Sequence, residues 1–196
     1  MKKQIRYTGL ILLAVTAVYM GSCKKKKPKD DFSNVKGTYL SINQYILDEW
    51  NNYSGMPFVI IKTTRINKGK MDSSFTNSDT VNWSPIFETF SKSDISDRKY
   101  LGQYNFSAFD DNQDGSHNFI YLAKDPDLFT QKLLITLDQR TSKVTGVYIE
   151  TFKKSATNEV IQKLYYSPLK TIQIQTEEKP MMGEGTYSLQ QWTFMR

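Results

Sequence analysis

From Leu101 onward the apolar residues of this chain recur every second position, in segments of six to ten residues separated by turn chemistry. That period constrains the fold more than any other feature, because side chains alternate across a strand and only a strand buries every second residue on one face. Tyr104, Phe106 and Ala108 alternate with Gln103, Asn105 and Ser107; further segments run over 118–123, 132–137, 144–152, 160–166, 171–176 and 187–194. Short connections between them favour antiparallel neighbours. Twelve Tyr and eleven Phe supply the aromatic bulk that strands accommodate well.

The first half of the chain has a different rhythm. Ser41 opens a helical pattern with Gln44 three positions on, the arrangement of a capping box, and Ile42, Tyr45, Ile46, Trp50 and Tyr53 share one face. Gly55 and Pro57 stop it. Residues 58–66 read as a strand, and Asn67, Lys68 and Gly69 turn it into a short partner over 71–75. Trp83, Ile86, Phe87 and Phe90 define a second helix that Asp79 or Thr80 caps, or that begins nearer Ser84 if Pro85 is to sit in its first turn. The expected fold is therefore α+β: a curved antiparallel meander of about seven to nine strands, with two helices from the N-terminal half covering one face. Closure into a lipocalin-like β-barrel, with Gly37, Thr38 and Tyr39 in the first strand, is the alternative.

The N-terminus carries the addressing information. Lys2, Lys3 and Arg6 precede an apolar run of 11 residues, 10–20, too short for the roughly 20 residues of a membrane-spanning helix and suited to a cleaved signal peptide. Met20, Gly21, Ser22 and Cys23 follow, and they resemble the lipobox of bacterial lipoproteins of the Bacteroidota type, with Met in place of the usual Leu. The resemblance implies cleavage before Cys23, acylation of that cysteine, and an outer-membrane anchor facing the periplasm or the cell surface. Cys23 is the sole cysteine, so no internal disulfide competes for it. Lys24 to Lys27, Pro28, Lys29, Asp30 and Asp31 then make a solvated basic tether. The chain thus divides into a signal peptide (1–22), a lipidated tether (23–34) and one domain (35–196).

Charge follows that division. Eight of the 26 Lys and Arg fall in the first 29 residues, which leaves 18 bases against 20 acids in residues 30–196, a net of −2. The high isoelectric point belongs to the terminus and gives no case for nucleic acid. The expected partners are the lipid membrane, through acylated Cys23, and an unidentified protein, glycan or apolar ligand.

Candidate chemistry in the domain is sparse. Asp110, Asn112 and Asp114, with Gly115, resemble the opening of a calcium loop, but the twelfth position from Asp110 is Tyr121 rather than a bidentate Glu, and Asp-Gly between alternating segments equally signals a hairpin. Calcium is accordingly the one cofactor in question, and none is otherwise expected. A single histidine, His117, and a single cysteine leave no zinc site of His and Cys. Trp50, Trp83 and Trp192 are candidates for a ligand cleft between helices and sheet, with Tyr165 and Tyr166 beside them, or else for the core. The functional expectation is a membrane-anchored, non-catalytic binding or scaffolding module. A carboxylate-dependent hydrolase or glycan-active enzyme, and a lipid carrier with a concave sheet, are the alternatives.

Overall fold

The computed structural model describes residues 39–53 and 55–195. The expected signal peptide, Cys23 and the expected tether lie outside them.

Helix α1, Ile42–Tyr53, begins where the sequence places it, but its cap is not the expected box. Ser41 Oγ accepts from Gln44 N at 3.2 Å, while the Gln44 amide donates to Asp48 at 2.7 Å instead of returning to Ser41. The missing half comes from a distant residue: Asp94 Oδ2 accepts from Ser41 Oγ (2.6 Å) and Asn43 N (2.8 Å). Gly55, at φ 85°, ends the helical segment, a backbone angle that only glycine adopts without strain. Helix α2, Ser84–Lys92, carries Pro85 in its first turn, where the missing N–H costs nothing. Residues 78–80 form a separate 3-10 turn before it, and Trp83 stands at the N-cap. No helix among the described residues is long and apolar enough to cross a membrane.

Nine strands form one open antiparallel sheet. They are β1 (Val59–Ile66), β2 (Asp72–Asn77), β3 (Tyr104–Asp111), β4 (Ser116–Ala123), β5 (Thr130–Asp138), β6 (Val144–Lys154), β7 (Asn158–Ser167), β8 (Thr171–Pro180) and β9 (Thr186–Phe194). Their order is β2-β1-β9-β8-β7-β6-β5-β4-β3, so β3 to β9 are the expected meander and the N-terminal hairpin joins it beside the last strand. The barrel alternative does not hold: β2 and β3 are edges at opposite ends of the sheet, and Tyr39 precedes α1 without entering a strand.

Register sorts the side chains. The row Trp192, Ile172, Tyr166, Val147, Ile135 and Phe119 crosses the sheet on one face, and the row Ile174, Leu164, Ile149, Leu133 and Tyr121 runs beside it. Ile42 and Ile46 of α1 and Ile86, Phe87 and Phe90 of α2 pack on this face and complete the core. Each of these large apolar groups contributes about 1.5–3 kcal/mol by leaving water. Both helices therefore lie on the same side.

Candidate ligand-binding face

The three tryptophans do come together, Trp192 buried in the two-layer core and Trp50 and Trp83 half-buried against it. Trp50 and Trp83 have ring centres 4.6 Å apart, and Trp83 stacks on Phe87 and Phe194 (5.9 Å each) and reaches Trp192 at 6.5 Å. Trp83 Nε1 donates to the Ser78 carbonyl at 2.7 Å, and Trp192 is buried. What opens beside Trp50 and Trp83 is a shallow notch of about 210 Å³ next to Met56 and Pro57.

The aspartate-rich loop is the turn of the β3–β4 hairpin. Asp111 pairs with Ser116 across it, Asp111 Oδ1 accepts from Gln113 N and Asp114 Oδ1 from Ser116 N (2.9 Å each), and Gly115 takes φ 68°. Asp110 turns to the other side and pairs with His117 Nδ1. Asp114 is thus engaged with the backbone and Asp110 with the imidazole, and Asn112 occupies the turn between them. Among the described residues no group of three or more His, Cys, Asp or Glu side chains gathers as a metal site.

Several carboxylates elsewhere serve the backbone or a lysine. Asp97 accepts from Lys99 N and Asp125 from Asp127 N. The Asp138 carboxyl is held below the usual aspartate range chiefly by the Thr141 N–H, at 2.8 Å. Glu159 and Lys154 pair at 2.7 Å, as do Glu88 and Lys92 at 2.8 Å.

The opposite face of the sheet carries neither helix. Across its middle the register lines up Thr63, Gln191, Gln173, Tyr165, Tyr148 and Leu134, and the same row runs on through Ile120 to Ser107. These side chains are mostly half-buried and electrically neutral. Tyr148 donates to Glu150 Oε1 at 2.8 Å; burial first, then that carboxylate, pushes its phenol well above the ordinary range, so it remains a neutral donor. Lys132 Nζ stands 5.6 Å from the same ring. Tyr165 lies over Gly146, whose missing Cβ would come within 3.3 Å of the phenol oxygen. Two neighbouring tyrosines expected in one cleft therefore part company: Tyr166 enters the core against Phe90 and Tyr45, while Tyr165 faces out. The strict alternation of strand side chains was the signal that separates them.

Two concavities flank the sheet. One of about 860 Å³ lies where β6 to β8 run beyond α2, between Lys92, Tyr100 and Phe129 on one side and Gln162, Thr176 and Lys153 on the other. The second, about 710 Å³, sits at the end of β1, β8 and β9, where Arg65 Nη2 donates to the Tyr187 hydroxyl at 3.0 Å.

No protein-family model, curated protein or solved structure matches the chain.

Proposed function

We propose that this chain is an exported lipoprotein, held in the outer membrane by acylated Cys23, whose domain binds a neutral glycan on the helix-free face of the sheet. The carrying observation is the row Gln191, Gln173, Tyr165 and Tyr148 on that face. Amides and phenols donate and accept without net charge, and the flat rings offer apolar area beside them, which suits a ligand that presents hydroxyls and C–H surfaces together. His117 is paired with Asp110, and Asp138 and Glu159 are engaged by a turn and by Lys154, so a hydrolytic reading would rest on Glu177, Glu178 and Glu184, which line the concavity at the end of β8 and β9. Two or three acyl chains, at about 0.8 kcal/mol per buried methylene, give a lasting anchor. The basic tether spaces the domain from the headgroups.

Two comparisons test this reading. Membrane fractionation and intact mass of the wild type beside Cys23→Ser are expected to show an acylated, sedimenting protein and an unmodified, soluble one. Affinity electrophoresis in gels cast with neutral soluble polysaccharides is expected to retard the Cys23→Ser protein, and Tyr148→Ala with Tyr165→Ala to weaken retardation about tenfold, equivalent to about 1.4 kcal/mol. Equal mass and location in the first experiment removes the anchor. Absence of retardation on every polysaccharide, or retardation indifferent to both tyrosines, removes the glycan face.

A further inference from the structure

Strand β3 ends the sheet, and among the described residues nothing pairs with its free side. Sheet edges in stable proteins are usually blunted by lysine, proline, a bulge or short length. Over Tyr104–Asp111, β3 contains no lysine or proline, pairs with β4 without a register shift, and carries charge only at its hairpin end, in Asp110 and Asp111. Phe106 is 56 % exposed on one face and Phe109 is 47 % exposed on the other. The orientation of its backbone follows from one bond. Lys124 N donates to Gln103 O at 3.0 Å, so Gln103 faces β4, and by alternation so do Asn105, Ser107 and Phe109. The N–H and C=O groups of Tyr104, Phe106, Ala108 and Asp110 point outward.

We infer that this edge pairs with the β3 of a second copy, antiparallel about a two-fold axis through Ser107. The four outward residues are symmetric about that position, so this register alone uses all of them, with up to about eight backbone hydrogen bonds. It sets Phe106 opposite Ala108 on one face and Phe109 opposite Asn105 on the other, a large ring against a small side chain each time. Charge agrees with it. At about 3.4 Å per residue the two Asp110 carboxylates lie roughly 20 Å apart, beyond the screening length of about 8–10 Å. Centring on Asp110 would set acid against acid, and centring on Phe106 would set ring against ring. The contact is isologous and small, so association is weak and concentration-dependent. It stands apart from the glycan reading, although it would join the two rows that end at Ser107 into one.

The test uses the full chain with Cys23→Ser in mild detergent, so that an introduced cysteine is the sole thiol. In this pairing the two position-107 Cα atoms form a non-hydrogen-bonded pair about 4.5 Å apart, within disulfide reach, whereas position 105 lies about 14 Å from its counterpart. Mild oxidation is expected to cross-link Ser107→Cys and to leave Asn105→Cys monomeric. Sedimentation velocity is expected to show a dimer that grows with concentration and that Ala108→Pro weakens at least about tenfold, since the lost N–H has no partner within the monomer. If that variant fails to fold, Ala108→Lys takes its place as an edge charge. A chain monomeric at every concentration, equal cross-linking at 105 and 107, or a dimer untouched at position 108 each overturns the inference.

Discussion

Asp94 holds two pieces of chain together with one carboxylate. It caps α1 through Ser41 Oγ and Asn43 N, and its other oxygen accepts from Ser96 N at 2.7 Å. Burial acts to raise its pKa, but these three hydrogen bonds to the ionised form outweigh burial and hold it below the ordinary aspartate range. A carboxyl whose folded pKa is depressed adds stability above its unfolded pKa and loses it as the pH falls through the folded one. Urea denaturation should therefore show that Asp94→Ala costs about 1–2 kcal/mol at neutral pH, the usual worth of a cap, and that the difference from wild type shrinks on acidification below the aspartate midpoint. An equal difference at pH 7 and in strong acid would refute the charged cap. That the helix Asp94 caps lies about fifty residues upstream is a property of the folded chain and not of its local sequence.

At the scale of the element, Gly146 in β6 and Tyr165 in β7 form a unit, the ring occupying the space a side chain at 146 would fill. Gly146→Ala asks the phenol to move a few tenths of an ångström, and Gly146→Val displaces it. Thermal denaturation should find the alanine variant within about 1 kcal/mol of wild type and the valine variant about 1–3 kcal/mol less stable. Equal stability of all three would mean that the ring is not seated there. The strand centres were legible because burial imposes period two on them, and their ends were not. Residues 158–159 and 177–179 are polar, so they pair through the backbone without leaving an alternation to read. The helices were legible for the same reason as the strand centres, with Ile42 and Ile46, and Ile86 and Phe90, spaced to share a face. The helix-free row escaped notice because Gln173, Tyr165 and Tyr148 lie far apart in the chain, and only register aligns them.

Taken whole, the molecule is fastened by the cluster in which Trp50 of α1, Trp83 beside α2 and Phe194 of β9 meet. Trp83→Ala removes a ring from four aromatic neighbours and orphans the Ser78 carbonyl. It should cost about 3 kcal/mol and lower Tm by roughly 6–12 °C by calorimetry; a shift within about 2 °C would show that the cluster is not the fastening. The same strand, β9, also bridges the N-terminal hairpin to the meander, Ile60 lying opposite Phe194. Chains are made N-terminus first, so β1 emerges with β2 alone for company and waits for some 120 residues before its other neighbour exists. Closing so long a loop late is slow, and in the interval the exposed side of β1 is open to foreign strands. The arrival of β9, Thr186–Phe194, is thus the committing event in the life of this chain, and whatever delays it prolongs the period in which misassembly competes.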